Sequence, residues 1–494
     1  MIRRRLLAPM VAALLVTPLL GASAGEPPGG WTQAKRIKRV SDDLGHDAVV
    51  VNDRAHVTFA GHLGDDPAEV RLYYGTNDTG GAKWDFEVVK TFVSPGEMRP
   101  SITLNGDVVF IAYQYQTEGQ HAVEVATRTE GTWDFEMLAG PEAGGSVAAR
   151  TPDVAVPDGG QPLVVFVDSQ DAPCPGDADL FVSEYAGGEW STPENVSAND
   201  SACRLHTAPA LAGGPGGPHL VYWAEDPLDG ETTLHYRSGA LTNDTDETVD
   251  AGDSGATMEL GVDVTADDTG TPHAAYLTDE PAVMYARWDA DAWSTTPVLA
   301  GEGITVTGDP SIAISSNGPA VAFTEGVEAE GPDALLAEDT AEGWNLKDLN
   351  AEQGPNRAPV LASETGERLH AVLIRSPDRD SLMYLHEAPR AKVDFAVAGA
   401  EFRGGQAVDM SGDIDPATVR EKVKIETQRY RNGGWRAYDI VRFRTRANGS
   451  FDYTHESFPG GFKYRSRLIW GDTIDHLDGR TVWDNFLVNK KRAH

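Results

Sequence analysis

Tryptophans recur along this chain at a nearly constant interval. The regularly spaced ones are Trp31, Trp84, Trp133, Trp190, Trp293 and Trp344. The gaps between them are 53, 49, 57, 103 and 51 residues, so that the longest gap equals two periods with one tryptophan missing. A constant period of this length is typical of repeat arrays such as propellers and solenoids, in which each unit buries its apolar face against its neighbours. The sequence therefore predicts an array of similar units.

Each unit has the same internal order of short alternating segments. A polar residue, often followed by proline, opens a first strand, as at Arg99-Pro100-Ser101-Ile102. A turn such as Asn105-Gly106 leads to a more apolar second strand, for example Val108 to Tyr113. A third strand and a tryptophan-containing fourth strand complete the unit. Turn pairs between alternating runs are typical of β-hairpins, and no sustained helical periodicity competes with them.

The apolar second strand can be counted seven times. Successive copies end 54, 53, 56, 54, 47 and 50 residues apart. Four antiparallel strands in each of seven units predict an all-β fold with a seven-bladed β-propeller over residues 31–388. The last unit, residues 357–386, lacks a tryptophan strand, whereas Trp31 has no strands before it. We therefore expect Trp31 to Arg36 to close the ring as the outer strand of the last blade, which removes exposed sheet edges.

Residues 390–494 differ from the rest of the chain in charge and in pattern. Residues 25–389 carry 19 basic and 62 acidic side chains, whereas residues 390–494 carry 19 basic and 14 acidic ones. About seven short alternating segments predict a β-sandwich in the C-terminal region. Its basic excess suits either an anionic cell-wall polymer or docking on the acidic body of the same chain. The acidic body itself repels phosphate backbones, so no nucleic-acid partner is expected.

Residues 1–24 are predicted to be a signal peptide. Three arginines from Arg3 to Arg5 precede an apolar stretch from Leu6 to Leu20, and Ala22-Ser23-Ala24 is a suitable cleavage site. No later segment is long and apolar enough to cross a bilayer as a helix. The protein is therefore expected to be secreted or extracellular, with cell-wall association as a further expectation. The sequence does not specify an oligomeric state.

The chain has two cysteines, Cys174 and Cys203. In an oxidising compartment an even pair predicts one disulfide, and two free buried thiols are the alternative. The antiparallel strand order places both cysteines in loops on the same face of the third unit. A disulfide closing this loop contributes about 3 kcal/mol.

The hairpins that precede the tryptophans resemble the Asp-box of sialidase-like (BNR-type) β-propellers, Ser-x-Asp-x-Gly-x-x-Trp. Ser183, Gly187 and Trp190 stand at that spacing, with a tyrosine in place of the aspartate. Asp339 and Trp344 match in another unit. In this family the box shapes a hairpin and performs no chemistry, so the resemblance implies a fold.

The C-terminal region resembles the Ig-like β-sandwich modules appended to exported bacterial proteins. The matching stretches run from Lys424 through Trp435, from Ala447 to Phe451 and from Gly461 to Arg465. Such modules accompany many different partners. The resemblance therefore implies an architecture for residues 390–494 without a specific ligand.

Polar residues stand just before the first strands, where they are predicted to surround the mouth of a central channel. These ligand-binding candidates are His46, Arg99, Arg150, His206, Glu259, Asp309 and Arg357. Three converging arginines could bind a carboxylate bidentately. The resemblance to sialidases implies such a cluster for an acidic sugar, since Arg150-Thr151-Pro152 and Arg357-Ala358-Pro359 match the family's Arg-x-Pro segment. Alternatively, these arginines neutralise the surrounding acidic loops.

Acidic side chains also fill the loops between second and third strands. Oxygen-rich loops suit calcium, and Asp177 and Asp179 form a fragment of such a site. No complete calcium-binding loop follows, so solvated charge is the main interpretation. We expect no cofactor, with calcium at these two aspartates as the alternative.

The sequence contains no recognisable catalytic motif of the Ser-His-Asp, HExxH, P-loop or dinucleotide-binding type. His219, His273 and His370 recur at one strand position, which indicates packing or hydrogen bonding rather than catalysis. The sequence therefore favours an exported, non-catalytic binding protein that presents the rim to a glycan, a peptide or a cell-surface component. The alternatives are a carbohydrate-active enzyme, either a sialidase-like hydrolase or a polysaccharide lyase, and a structural envelope protein.

Overall fold

The structure, a computed structural model, is all-β over its described residues, which confirms the all-β part of the predicted fold. None of the described segments forms a helix of the length and hydropathy that crossing a bilayer requires. The described residues are 31–490 except 33, 40, 53, 63–68, 78–82, 118, 141–148, 170–177, 198–204, 227–229, 242–245, 251–260, 279–281, 290–291, 300–304, 328–330, 350–355, 365–367, 376–380, 389–391, 416–421, 447, 471–478 and 482.

Seven antiparallel sheets, sheets I to VII, follow one another along the chain after strand β1, Lys35–Arg39. Sheet I contains β2 Ser41–Val51, β3 Arg54–His62, β4 Glu69–Asn77 and β5 Trp84–Val93. Sheet II contains β6 Ser101–Asn105, β7 Val108–Thr117, β8 Gln120–Thr129 and β9 Thr132–Ala139. Sheet III contains β10 Arg150–Ala155, β11 Leu163–Asp168, β12 Asp179–Ala186, β13 Glu189–Trp190 and β14 Glu194–Asn195.

The remaining four sheets repeat the same order. Sheet IV contains β15 Leu205–Gly214, β16 Gly217–Glu225, β17 Thr232–Ser238 and β18 Glu247–Asp250. Sheet V contains β19 Val262–Ala266, β20 Pro272–Thr278, β21 Ala282–Asp289 and β22 Ala292–Leu299. Sheet VI contains β23 Thr305–Ser315, β24 Gly318–Val327, β25 Gly331–Thr340 and β26 Gly343–Asp348. Sheet VII contains β27 Asn356–Ser363, β28 Leu369–Arg375 and β29 Ser381–His386.

The seven sheets are arranged in a closed cycle. The first strand of each sheet contacts the first strand of the next, and β27 of sheet VII contacts β2 of sheet I. We call this arrangement the ring. Its sheets contact one another in the order in which they occur in the sequence, as expected when consecutive elements pack as neighbours.

The N-terminal segment supplies the fourth strand of sheet VII. Strand β1 pairs antiparallel with β29, with Lys35 opposite Tyr384 and Arg36 opposite Met383. The Thr32 amide donates to the carbonyl of His386 at 2.9 Å, and Trp31 is only 1% exposed. The predicted pairing of this segment with the last unit is confirmed.

The second strand of every ring sheet is covered on both faces, as its apolar sequence predicts. The repeated residue at its end is fully buried in all seven copies: Phe59, Tyr113, Phe166, Tyr222, Tyr276, Phe323 and Leu373. The hairpin turns before this strand use the expected residues, with Gly106 at φ 62° in the turn from β6 to β7.

The periodic tryptophans join neighbouring sheets. Trp133 of sheet II packs edge-on against Tyr74 of sheet I, with ring centroids 5.8 Å apart. The same contact links Trp293 to Tyr236, Trp344 to Tyr285 and, across the closure of the ring, Trp84 to Tyr384. Edge-to-face aromatic pairs contribute about 1 kcal/mol beyond burial of their area. The tryptophan period thus follows from contacts between sheets.

The recurring histidines form hydrogen bonds with these tyrosines. Nδ1 of His56 and the Tyr74 hydroxyl share a hydrogen bond of 2.7 Å, and all these side chains are buried. Equivalent bonds of 2.6–2.7 Å join His219 to Tyr236, His273 to Tyr285 and His370 to Tyr384. The predicted hydrogen-bonding role of the histidines is confirmed.

Acid should destabilise the ring through these histidines. Burial, aided by the charge of Arg54, lowers the pKa of His56 to about 4. The neutral imidazole therefore stabilises the fold above a pH of about 6.5, and this contribution is lost as the pH falls towards about 4. Between about pH 7.5 and about pH 5, the wild type should lose about 2 kcal/mol more than His56→Phe. Urea midpoints measured at both pH values test this, with His62→Phe at a less buried position of the same strand as the control.

The C-terminal region contains two sheets. The strands are β30 Lys392–Val397, β31 Glu401–Arg403, β32 Val408–Asp415, β33 Lys422–Arg431, β34 Gly434–Arg444, β35 Phe451–His455, β36 Phe462–Trp470, β37 Gly479–Arg480 and β38 Asp484–Asn489. One sheet has the order β30-β32-β35, and the six-stranded sheet has the order β31-β38-β36-β33-β34 with β37 beside β36. The two sheets share one apolar cluster that includes Met410 and Phe451 of the first sheet and Ile425 and Tyr464 of the second.

Several sequence predictions fall outside the described residues. These include the signal peptide and both cysteines, Cys174 and Cys203. The described residues nearest the cysteines, Ala178 and Leu205, form a β-bridge with each other. The disulfide and the domain limits stay predictions.

Candidate functional site

The first strands of all seven sheets line one central cavity. Its volume is about 500 Å³, and its walls come from β2, β6, β10, β15, β19, β23 and β27. A few residues precede the cavity-lining positions of sheets I, II, VI and VII, and we call these residues the mouth. They are His46, Glu97, Arg99, Asp309 and Ala358.

One position of the first strand, which we call the latch position, joins five of the seven sheets to the next sheet. In the seven sheets this latch position is occupied by Asp47, Ser101, Asp153, Ala210, Asp263, Ser311 and Val360. At five junctions the side-chain oxygen accepts a backbone N–H from the following sheet; these amides belong to Ile102, Val154, Leu211, Ile312 and Leu361. Alanine and valine have no acceptor, so the junctions from sheet IV to V and from VII to I lack this bond.

The three latch aspartates line the cavity together. Burial raises the pKa of Asp47 to about 7, and the charge of Asp153 adds to the rise. Burial likewise raises the pKa of Asp263 to about 7, with further repulsion from Asp153 and Asp47. Burial also raises the pKa of Asp153. These carboxyl groups therefore repel one another across the cavity when ionised.

Arg99 and Asp309 meet across the mouth. Arg99 precedes β6 of sheet II, and Asp309 lies in β23 of sheet VI, yet Nη1 of Arg99 is 3.9 Å from Oδ2 of Asp309. Arg99 also donates from Nε to Oε1 of Glu97 at 2.7 Å. Their side chains are 40% and 55% exposed. The mouth thus offers cationic donors and carboxylate acceptors at one solvent-accessible place.

Backbone geometry fixes this pair. Gly45 has φ 124°, and a Cβ there would lie 2.9 Å from Cα of Arg99. A Cβ at Gly261 would lie 2.5 Å from Cα of Asp309. Arg99 and Ala358 themselves have φ of 39° and 48°, and the equivalent residues Thr151 and Ala208 have φ of 49° and 45°. The left-handed residue is therefore a repeated feature of the first strands, two positions before the latch.

His46 lies beside this pair. Its Nε2 is 2.8 Å from the carbonyl oxygen of Ala358, so the ring nitrogen donates a hydrogen bond that ties sheet I to sheet VII. The amide of Arg99 donates to the carbonyl of Leu44 at 3.1 Å, which ties sheet II to sheet I. Three neighbouring sheets are therefore held together at the mouth.

The other predicted rim residues lie in different surroundings. Arg150 is exposed at the start of β10. His206 is buried, with Nδ1 donating to the carbonyl of Ala178 at 2.9 Å and its ring tilted against Tyr222. Glu259 and the side chain of Arg357 lie outside the described part of the chain. Of the predicted set, the described side chains bring His46, Arg99 and Asp309 to the mouth.

Of the two calcium candidates, one lies within the described residues and one lies outside them. Asp177 lies outside the described residues, and Asp179 accepts hydrogen bonds from Nδ2 of Asn195 at 2.9 Å and from Oγ of Ser197 at 3.1 Å. Within the described ranges, no group of three or more His, Cys, Asp or Glu side chains is arranged to hold a metal ion.

Two groups of residues at this site were not singled out from the sequence. Glu97 stands two positions before Arg99, and the latch aspartates stand in the first strands. A usable signal exists for the latch, because proline precedes Ser101, Asp153 and Ser311. Aligning the units on that proline would have placed the latch residues in one register.

Comparison with known proteins gives low similarity. No family model matches the sequence, and no curated protein matches it. Among solved structures, AofleA from Arthrobotrys oligospora is 8% identical with a TM-score of 0.39, covering 74% of this chain and 90% of that one. The intramolecular trans-sialidase from Ruminococcus gnavus is 10% identical with a TM-score of 0.39, covering 74% and 98%. An Aleuria aurantia lectin is 12% identical with a TM-score of 0.36, covering 70% and 95%. These values assign neither a family nor a ligand to the chain.

Proposed function

We propose that this protein is an exported, non-catalytic glycan-binding protein whose ring is a seven-bladed β-propeller with degenerate Asp-box hairpins. In this proposal residues 1–24 direct export, residues 31–388 form the propeller and residues 390–494 form an Ig-like β-sandwich. The cyclic contact between the first strands of the seven sheets supports the propeller. The cluster shared by the two C-terminal sheets supports the sandwich, because two sheets that bury one core pack face to face.

The observation that carries the binding proposal is the Arg99–Asp309 pair at the mouth. The two residues come from sheets that are not neighbours, and both remain accessible to solvent. A sugar hydroxyl both donates and accepts hydrogen bonds, so a carboxylate beside a guanidinium can bind adjacent hydroxyls of one ring.

The charge around the pair favours a neutral sugar over an acidic one. Glu97 and Asp309 both interact with Arg99, so the three side chains have a net negative charge when both carboxyl groups are ionised. Burial raises the pKa of Asp309, and the charge of Arg99 opposes this rise. The body of the chain, residues 25–389, has a net charge of −43. An anionic sugar would meet repulsion here, because like charges are not compensated by the single arginine.

The carboxyl groups that line the central cavity favour a binding protein over an enzyme. A glycosidase requires a carboxylic acid and a second carboxylate that face the substrate. Asp47 and Asp263 have raised pKa values, but each accepts hydrogen bonds from two backbone amides. These bonds direct the carboxylate oxygens towards the sheet backbone. The joining of adjacent sheets therefore explains why carboxylates occupy these positions, and no catalytic role is needed to explain them.

A glycan array probed with the full chain tests the proposal. We expect binding to neutral glycans and no hydrolysis of them. Arg99→Ala and Asp309→Ala should each weaken that binding roughly tenfold or more, because each removes charge-assisted hydrogen bonds to the sugar. Lys83→Ala removes an exposed charge of sheet I that pairs with Asp85 and is the matched control.

Two outcomes would contradict the proposal. The first is binding of sialylated or uronic-acid glycans that exceeds binding of neutral ones and is lost in Arg99→Ala, which would restore the acidic-sugar hypothesis for the mouth. The second is equal affinity of the Arg99→Ala, Asp309→Ala and Lys83→Ala variants, which would remove the mouth as the binding site. Release of reducing sugar during incubation would identify an enzyme instead.

A further inference from the structure

One face of the six-stranded C-terminal sheet is strongly basic. Val423, Ile425 and Thr427 of β33 are buried, so the alternate residues of this strand point to the opposite face. Cross-strand register adds residues from β34, β36 and β37 to that face. We call it the basic face, and its cations include Lys422, Lys424, Arg442, Arg444, Arg465, Arg467 and Arg480.

Register places three of these cations close together. Lys424 stands directly opposite Arg442, and Lys422 stands two positions along the same strand. Directly opposite residues have Cβ atoms about 5 Å apart, and alternate residues of a strand are about 7 Å apart. Lys422 and Arg442 are exposed, and Lys424 is half-buried. The face therefore concentrates positive charge within a few ångströms.

Aromatic side chains orient the remaining guanidinium groups. The Arg465 guanidinium lies over the ring of Trp435 at 4.5 Å and over that of Trp483 at 4.2 Å. Arg467 lies over Trp483 at 4.2 Å and donates to Oε2 of Glu426. Stacking fixes the guanidinium planes, because a cation is attracted to the face of an indole. These two arginines are thus held in place before any ligand arrives.

A cavity lies beside the clustered cations. Its volume is about 480 Å³, and its lining combines Lys422, Lys424 and Arg442 with Ile469, which stands opposite Lys424 on the same face. A sugar with an acidic group has both parts that such a lining can bind. Its charged substituent attracts the cations, and its apolar C–H groups pack against the Ile469 side chain.

We propose that the basic face binds an anionic polysaccharide. The contrast in charge supports this partner, since residues 390–494 have a net charge of +5 in a chain of net charge −35. A single-stranded nucleic acid would require aromatic platforms for its bases. The indoles of Trp435 and Trp483 are instead covered by guanidinium groups, so they are not open platforms for bases.

The experiment uses the full chain and four labelled polymers: dextran sulfate, polygalacturonate, unmodified dextran and a single-stranded oligonucleotide. We expect dextran sulfate or polygalacturonate to bind at about 0.05 M salt and to dissociate as salt rises to about 0.5 M. The triple variant Lys422→Gln, Lys424→Gln, Arg442→Gln should lose roughly tenfold or more in affinity. The control variant Arg54→Gln, Lys83→Gln, Arg287→Gln removes three exposed charges from the ring, so both triple variants have the same net charge.

Thermal melting of both triple variants establishes that they are folded. Equal loss of affinity in the two variants would overturn the proposal, because the effect would then follow net charge alone. Tighter binding of the oligonucleotide than of either anionic polysaccharide would also overturn it and assign the face to nucleic acid. Absence of binding to both anionic polysaccharides at low salt would overturn it as well.

Discussion

Replacing Trp31 by alanine is expected to destabilise the ring by about 3–5 kcal/mol. The indole is buried in a cluster with Leu336 of sheet VI and with Leu361 and Leu385 of sheet VII. The substitution would leave a cavity at the point where the N-terminal segment joins the last sheet. Without this anchor, β1 would no longer be held against β29 by side-chain packing. Guanidinium unfolding of the full chain, followed by tryptophan fluorescence and circular dichroism, measures the effect.

Two comparisons make this result specific. Phe135→Ala, an exposed aromatic position on β9, should change the free energy of unfolding by less than about 1 kcal/mol. A chain that begins at residue 41 lacks β1 and should be destabilised at least as much as Trp31→Ala. Unchanged melting temperatures in both altered chains would refute closure of the ring by the N-terminal segment.

The second large effect concerns pH and the latch aspartates. The pKa of Asp47 and that of Asp263 are each raised to about 7 in the folded protein. The folded state therefore binds protons more tightly than the unfolded chain, and this stabilisation is present below about pH 3.8 and lost as the pH rises through about 7. Between about pH 4 and about pH 8, the wild type should lose about 4 kcal/mol relative to either Asp→Asn variant.

The measurement is the difference in unfolding free energy between wild type and Asp47→Asn or Asp263→Asn at several pH values. This difference isolates one group, whereas the pH profile of the wild type also contains the buried histidines, which act in the opposite direction. Asp85→Asn, at an exposed aspartate, is the control. A flat difference for both latch variants would mean that their carboxyl groups titrate as they do in water, which would contradict the prediction.

The repeat pattern was sufficient to predict the order of strands but not the site. Tryptophan spacing and apolar second strands depend on burial, and burial repeats from sheet to sheet. Arg99, Arg150 and His206 were aligned because each is polar and precedes a first strand. In five sheets the strand register shifts just before the latch position, so residues at similar distances from the strand face different surroundings.

In the C-terminal region too, the sequence pattern alone does not determine where each side chain lies. Arg442 and Arg444 share a strand face, as alternation predicts. Arg446 lies beyond the end of β34 and pairs with Asp452 at 2.8 Å. Alternation along β34 therefore places Arg442 and Arg444 on one face of the sheet, and the end of the strand excludes Arg446 from that face.

The latch hydrogen bond is missing at two junctions, which divide the ring into two arcs, sheets I–IV and sheets V–VII. Within each arc every sheet is bonded to the next through a latch side chain, whereas Ala210 and Val360 mark two seams that lie nearly opposite each other. Other contacts join the sheets at the two seams, such as the His46–Ala358 hydrogen bond between sheets I and VII and the Trp293–Tyr236 contact between sheets V and IV. Arg99 belongs to one arc and Asp309 to the other. A ligand that contacts both residues would therefore also hold the two arcs together. Binding at the mouth would then make the ring more rigid.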